Sequence, residues 1–380
     1  MKHDKLIGPL LLVSSCLLWT SCTGARTGIP LRPGLLVPEP PRPAEVSLDV
    51  GHTVVVVALD GVRREDVFAG VDPRLARAQG LEPDEILSAR DLTPNLHALM
   101  DRGAALNGSI SASGPNFMSV PGYMEMMTGR RPTGCTDNGC EPTRHATLAD
   151  DFAAEPGVSA LEVAVIASWD GVGRAATRDA SRATISVGRH AGATRDWLRY
   201  DEEAAALLDA GERAGPDPGH GDYRRDRATA AIALRYLKRV EPRFLFLGLG
   251  DTDEYAHRND YRGYLRALGH ADFVIGQVSL TLRKLERTGR RTTLLVTTDH
   301  GRAQDFSGHG GYAPESALVW LVAAGWGIEA RGVVTPPSAR YLADVAATVR
   351  SLAGVGSREP SSAPLSELLA PRDSRLALSP

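Results

Sequence analysis

Cysteine is scarce in this 380-residue chain: there are four, of which Cys16 and Cys22 fall in the first 22 positions and only Cys135 and Cys140 lie beyond them. A scaffold built on disulfides is therefore excluded. An excess of charge of one sign is also missing, because 43 Lys and Arg face 46 Asp and Glu for a formal net charge of -3. Without a basic surplus, nucleic acid is not an expected partner. Aromatic residues make up only 6% while Gly (39) and Pro (25) are plentiful, which suits an enzyme with shaped loops better than a packed helical bundle. With 43% hydrophobic and 23% charged residues, a disordered chain and a coiled coil are excluded, and the length fits one large domain or two small ones.

The N-terminus indicates a compartment. Met1 to Lys5 carries two lysines, and Leu6 to Trp19 is apolar apart from Gly8, Pro9, Ser14, Ser15 and Cys16, the layout of a secretory signal. The run is shorter than the roughly 20 apolar residues that span a bilayer. Trp19-Thr20-Ser21-Cys22 resembles a bacterial lipobox, in which the cysteine is lipidated and becomes the new N-terminus, although Trp stands where Leu is usual. Val13-Ser14-Ser15-Cys16 fits the residue classes better but leaves a very short apolar core, so Cys22 is the expected lipidation site, with plain cleavage as the alternative. Residues 1–22 are thus expected to be a signal, and 23–50, with Pro30, Pro33, Pro38, Pro40, Pro41 and Pro43, an extended tether. In an exported protein, Cys135 and Cys140, close together in a Gly-containing turn, are expected to form a local disulfide. Zinc held by two thiolates is the lesser reading, since no second Cys or His pair stands at matching spacing.

From residue 53 the pattern is that of an α/β protein with a mostly parallel sheet and helices on both faces. Thr53 to Leu59 is a β-branched apolar run with almost no polar relief, as in a strand buried on both sides. Phe244 to Gly250 and Thr292 to Thr298 repeat the design, and all three end in acids: Asp60, Asp251-Thr252-Asp253 and Asp299-His300. In open α/β sheets, ligands bind at the C-terminal strand ends. Leu161 to Ile166 and Leu318 to Ala323 are further candidate strands. Helical periodicity is clearest over Arg227 to Val240, Tyr261 to Arg287 and Ser338 to Leu352. Residues 167–226, rich in Arg, Gly and Asp, look like a substrate-shaping insertion in a domain spanning 51–355, and 356–380 looks like a loosely ordered tail.

Asp60, Asp253, His257, Asp299, His300 and His309 all lie just beyond strands or in the loops that follow. So many carboxylates on one edge would repel each other unless cations intervene. Mixed Asp and His ligation suits zinc, with manganese or iron as alternatives, whereas magnesium and calcium prefer oxygen alone. A nucleophile is available at Ser119, where Pro121 and the run to Thr128-Gly129 indicate a helix whose N-terminus favours an anion. A simple N-cap is the competing reading.

Taken together, these residues resemble the alkaline phosphatase superfamily, which includes nucleotide pyrophosphatases and phosphodiesterases, sulfatases and cofactor-independent phosphoglycerate mutases. The matching features are Asp60, Ser119 upstream of Thr128-Gly129, Asp253 with His257 one helical turn on, Asp299-His300-Gly301, His309, and Asp344 to Thr348 as the closing helix; they cover roughly residues 53 to 353. The resemblance implies two divalent transition metals about 4 Å apart. One would be held by Asp253, His257 and His309, the other by Asp60, Asp299, His300 and the Ser119 oxygen. It further implies hydrolysis of a phosphate monoester or diester through a phosphoserine on Ser119, with a small-molecule ester as substrate.

Some positions depart from the family. Sulfatases carry Cys or Ser followed by x-Pro-x-Arg, and here Tyr123 takes the place of the Arg. Nucleotide pyrophosphatases usually have Asn three residues after the nucleophile, and here Gly122 takes its place. Asn116 is a candidate replacement in substrate binding, with a turn-forming role as the alternative. Arg63 and Arg302 adjoin two ligand strands and are candidates to clamp a substrate anion, against the reading of solvated arginines. A sulfatase, and a binding lipoprotein that kept the fold without turnover, are the other function classes weighed. A phosphoglycerate mutase is disfavoured by the export signal.

Overall fold

The computed structural model describes residues 51–190, 198, 201–357, 359 and 362–371, all within one compact unit. The expected signal, tether and Cys22 lie outside the described residues. Among the described residues, nine strands form a single sheet: β1 His52–Leu59, β2 Ala104–Ser111, β3 Val163–Ala167, β4 Thr184–Val187, β5 Phe244–Leu249, β6 Arg291–Thr297, β7 Leu318–Gly325, β8 Gly332–Val334 and β9 Arg340–Tyr341. Their order is β4-β3-β5-β1-β6-β7-β2-β8, with β9 also beside β2. The strands from β4 to β6 are mutually parallel, and β7 runs antiparallel to both β6 and β2.

The apolar run of β1 is continuous because both of its faces are covered. Val55, Val57 and Leu59 point to a core shared with helices Pro94–Asp101, Asp226–Val240 and Tyr261–Glu286. Val54, Val56 and Ala58 point the other way, to a core shared with helices Ser119–Thr128, Leu148–Ala154 and Asp344–Ala353. The period of two divides one valine run between two cores. Strands β5, β1 and β6 are neighbours, and the register that pairs Leu59 with Leu249 and Ala58 with Thr297 brings their C-terminal ends level. The acids that follow each strand therefore emerge along one edge.

The structure differs from the sequence expectations in four places. Strand β2 has an unremarkable sequence, AALNGSIS, and a bulge between Asn107 and Ile110 interrupts its pairing with β7. The helix expected from Ser338 begins only at Asp344, because Arg340 and Tyr341 pair with β2 and the Asp344 carboxylate accepts the Tyr341 N–H at 3.0 Å. The expected loose tail is docked as far as residue 371: Leu365 and Leu368 are fully buried, and the Ala370 N–H donates to the Gly327 carbonyl at 2.9 Å. Segment 167–226 supplies the edge strand β4 and helix Glu202–Arg213, so it is woven into the fold rather than appended to it. Among the described residues no helix is long and apolar enough to cross a membrane.

Candidate metal and nucleophile site

Asp60 continues β1 by one residue, its N–H bonded to the Leu249 carbonyl at 2.9 Å, and is almost buried. Gly61 turns the chain at φ 60°, and a Cβ there would stand 2.5 Å from both Arg302 Nη1 and Asp253 Oδ1. Only glycine meets the conformation and the close approach together. Asp299, after β6, is fully buried, and its Oδ1 accepts the N–H groups of Gly61 (3.1 Å) and His300 (3.0 Å). Its Oδ2 accepts no hydrogen bond among the described residues and lies 3.5 Å from His300 Nε2.

Ser119 is the first residue of helix Ser119–Thr128 and is only 4% exposed. Its Oγ lies 3.2 Å from His300 Nε2 and 3.4 Å from Asp60 Oδ1. The helix can lie this close to β6 because of Gly122, where a Cβ would stand 2.5 Å from the Asp299 carbonyl oxygen. Any side chain here, Asn included, would push the helix off the strand. Tyr123, at the position of the sulfatase arginine, is buried and donates its hydroxyl to Asp60 Oδ2 at 2.9 Å. Burial, with Asp60 and Asp299 nearby, holds that phenol well above its ordinary pKa, so it stays a donor. Sequence reading treated Tyr123 only as a departure; its position one helical turn after Ser119 was the available signal.

The histidines are oriented by backbone carbonyls. His300 Nδ1 lies 2.9 Å from the Gly301 carbonyl and His309 Nδ1 lies 2.9 Å from the Phe117 carbonyl. Each Nδ1 then carries a proton, so Nε2 is the atom turned into the site and offers its lone pair once a cation displaces any second proton. The two rings stack at 3.8 Å. Helix Asp251–His257 brings Asp253 and His257 to the same face, with His257 Nε2 at 2.9 Å from Asp253 Oδ2 and 3.2 Å from His309 Nε2. Ligand atoms of Asp253, His300 and His309 all lie within 4.8 Å of one another, as do those of Asp60, Asp299 and His300. The second group holds the three side chains expected with Ser119; the first differs from expectation, with His300 in the place of His257, which instead lies against Asp253 and His309 at the edge of the group.

The electrostatics favour a bound cation. Burial and the nearby Asp60 push the Asp299 carboxyl well above the usual range. His300 rises to about 9: burial opposes its charge, but Asp299, Asp60 and Asp253 outweigh it. His309 falls to about 3 through burial and the adjacent His300. Despite burial, Asp253 is held well below the usual range by Arg302, His257 and His309. An orphaned buried carboxylate oxygen among imidazole lone pairs fits a divalent metal, and the mixed Asp and His donor set suits zinc.

The three candidate substrate contacts fare differently. Arg302 is 3% exposed, with its guanidinium on Asp253 and on the carbonyls of Phe306 (2.7 Å) and Ser307 (2.9 Å). It is neither solvated nor free to clamp an anion; it holds the Asp253 carboxylate in place. Arg63 is also buried, against Asp66 (3.7 Å) and Asp72 (3.3 Å). Asn116 is exposed on the loop before Ser119, beside Gly311. Cys135 and Cys140 are joined by a disulfide, with S–S 2.01 Å. Within that loop Asn138 reaches the nucleophile helix, its Oδ1 accepting the Val120 N–H at 3.0 Å. The far end of segment 167–226 also supports the site: the Asp226 carboxylate accepts the N–H groups of Gly250 (2.8 Å) and Asp251 (3.0 Å), and the Tyr223 hydroxyl donates to Asp251 at 2.7 Å.

Residues 222–355 match the family model of the Metalloenzyme superfamily, a stretch that contains Asp253, His257, Asp299, His300 and His309. The fold is that of the alkaline phosphatase superfamily. Similar solved structures include a phosphonate monoester hydrolase of Agrobacterium radiobacter, at 14% identity and a TM-score of 0.55 over 84% of this chain and 78% of that one. A putative sulfatase from Bacteroides thetaiotaomicron is similar at 15% identity and a TM-score of 0.54, over 82% and 73% of the chains. A protein in the alkaline phosphatase superfamily from Vibrio parahaemolyticus follows at 15% and 0.51, over 85% and 71%. No curated protein matches the sequence.

Proposed function

We propose that the protein is an exported, lipid-tethered hydrolase of phosphate monoesters or diesters that works through a phosphoserine at Ser119 and uses two transition metals, zinc first. The observation that carries this reading is Ser119 Oγ, nearly buried at a helix N-terminus, within 3.4 Å of Asp60 Oδ1 and His300 Nε2. Asp253, His257 and His309 would hold one ion, and Asp60, Asp299 and His300 the other. When bound, such ions supply the positive charge that makes a serine hydroxyl ionisable near neutral pH and that offsets charge on a departing oxygen.

The chain's own groups account for the rest. The Ser119 hydroxyl directs its proton to Asp60 Oδ1, and Tyr123 fixes that carboxylate from its other oxygen. Ser119 Oγ then forms a bond to phosphorus in line as the ester P–O bond breaks, leaving a phosphoserine and an alcohol or phenol. Water later cleaves the phosphoserine and regenerates the hydroxyl. The positive end of the helix dipole favours the anionic group throughout. Sulfate ester hydrolysis is the second reading, since sulfatases are among the similar structures. Tyr123, committed to Asp60 where sulfatases have arginine, weighs against it. Assay of zinc-loaded protein on aryl phosphate, aryl phosphodiester, aryl phosphonate and aryl sulfate decides: fastest turnover of a phosphorus ester is expected, and turnover of the sulfate alone would overturn the reading.

A further inference from the structure

We propose that the sheet edge opposite the catalytic residues is a basic surface that lies on the anionic headgroups of a membrane and turns the site toward the water. The inference rests on the lipid-tether reading above and goes beyond it, since a tether limits distance without setting orientation. Positions 23–50 span tens of ångströms when extended at about 3 Å per residue. A preferred orientation has to come from the domain itself.

Topology gathers the charges. In a parallel sheet the crossover helices return the chain to the N-terminal strand ends, so helix C-termini and the loops after them share one edge. Helix Asp226–Val240 leads there into β5 and helix Tyr261–Glu286 into β6, and His52 pairs with Arg291 at the start of β1. The chain before β1 therefore joins the domain on this edge. The two helices end in exposed Lys238, Arg239, Arg283 and Lys284, and exposed Arg287 follows the second. Arg239 lies 3.9 Å from Asp201, whereas Lys238, Arg283, Lys284 and Arg287 enter no ion pair among the described residues. Arg102, just past helix Pro94–Asp101, shares with Arg283 a recess of about 190 Å³ floored by Leu99, Leu282 and Leu294. Partial desolvation and the neighbouring Arg283 lower the Arg102 pKa against an opposing pull from Glu286, as in cations crowded without enough counter-charge.

The acids of this edge are largely engaged. Glu162 faces Arg243 at 3.5 Å, Glu329 pairs with Arg331, and Glu286 accepts the Thr292 hydroxyl, while Glu241 stands exposed. The catalytic edge carries the reverse, with Asp60, Asp251, Asp253, Glu254 and Asp299 just beyond β1, β5 and β6. Opposite edges thus differ in sign although the whole chain is near neutral at -3. An anionic surface attracts the first edge, by an amount that grows with each Lys or Arg near it. The eight residues of β1 then hold the site about 25 Å away from the membrane-facing edge. Water-soluble esters reach it there, and headgroups of the same membrane do not.

The competing reading is that these cations only complement the negative ends of the helix dipoles. Vesicle co-sedimentation separates the two. The full chain carrying Cys16→Ser and Cys22→Ser, which takes no lipid, is mixed at low salt with vesicles of phosphatidylcholine alone or of equal parts phosphatidylcholine and phosphatidylglycerol. Preference for the anionic vesicles, lost at high salt, is expected. Combining Lys238→Gln, Arg283→Gln, Lys284→Gln and Arg287→Gln should weaken anionic partition by roughly fivefold per residue. Combining Arg77→Gln, Arg213→Gln, Arg227→Gln and Arg266→Gln, away from this edge, removes as many charges and should leave partition within about twofold. Cooperative melting of each variant checks that it folds. A first variant that melts lower with unchanged partition would overturn the proposal in favour of the dipole reading. Equal binding to both vesicles, or equal loss in both variants, would also overturn it. Mass spectrometry of the exported chain with Cys16 and Cys22 intact tests the tether separately: absence of lipid there would sink the tether alone, while lipid present without anionic preference would sink the basic surface alone.

Discussion

Two clusters of buried acids lie within the same domain, and they are settled in opposite ways. In the first, Asp66 is fully buried, and its two oxygens accept the hydroxyls of Tyr261 (2.6 Å) and Tyr264 (3.0 Å), with Arg63 at 3.7 Å. In the second, Asp60, Asp253 and Asp299 crowd one sheet edge with three histidines, and the Asp299 Oδ2 accepts nothing among the described residues. Burial is similar and the residue types overlap; the partners differ. Where phenols satisfy both carboxylate oxygens, as at Asp66, a buried acid is structural. In the second cluster Tyr123 and Arg302 serve Asp60 and Asp253 but leave the Asp299 oxygen orphaned among imidazoles, a setting that fits a partner from outside the chain.

The largest expected effect is confined to the second cluster. Removing metal with a strong chelator should abolish turnover while leaving the Asp66 cluster intact, and readdition of zinc should restore activity. Elemental analysis of unstripped protein should find about two transition metals per chain; fewer than one would break the contrast. Next comes Ser119→Ala, which removes the attacking oxygen but no ligand carboxylate or imidazole. Turnover should fall by at least about 10³-fold, with metal content retained and little change in stability, since the Ser119 hydroxyl caps no helix N–H. Near wild-type turnover would leave Ser119, which follows the N-cap Met118 and makes no capping hydrogen bond, without a part in the reaction.

The first cluster predicts smaller, purely structural losses. The Tyr261 hydroxyl donates to Asp66 and accepts the Asp72 N–H at 2.9 Å. Tyr261→Phe should cost about 1–3 kcal/mol of stability, the penalty for a buried acceptor left short of a donor. Metal content and turnover per folded molecule should not move. Loss of metal in this variant would show that the clusters are coupled.

Much of the second cluster was legible in the sequence because its signal is local. An apolar β-branched run that stops at an acid identifies both the strand and the carboxylate it delivers to the sheet edge, as at Val54 to Asp60 and Thr292 to Asp299. The supports were not legible, since they depend on tertiary approach. Nothing next to Tyr123 or Asn138 in the chain announces that one orients Asp60 and the other reaches Val120. The same limit applied to the fold: β2 lacks a continuous apolar pattern and carries a bulge, and Leu365 and Leu368 sit among prolines and serines that conceal their burial. Arg63 and Arg302 adjoin ligand strands in sequence, yet each guanidinium serves a carboxylate and neither is solvated.

The smallest effect is the pH dependence contributed by Asp66, and its sign follows from burial. Burial, opposed by Arg63 and the two tyrosines, raises the carboxyl from its ordinary 3.8 to about 6 in the folded protein. Below about pH 4 the group is protonated in both states, and its contribution to stability is complete. Between about pH 4 and 6 the unfolded chain gives up the proton first, so stability declines as pH rises; above about 6 both states are ionised and the contribution is flat. A shift of two units corresponds to at most about 3 kcal/mol, and relaxation around a buried group will make the observed change smaller. Asp66→Asn has no proton to lose. Urea unfolding of wild type and Asp66→Asn across pH 4 to 7 in one set of buffers isolates this group, because the titrations at the metal edge are common to both proteins and cancel in the difference. The difference should favour the wild type at pH 4 and shift toward the variant by pH 7. A flat difference would mean that the phenols and Arg63 stabilise the carboxylate as well as water does, and would bring the two clusters closer in character than their partners suggest.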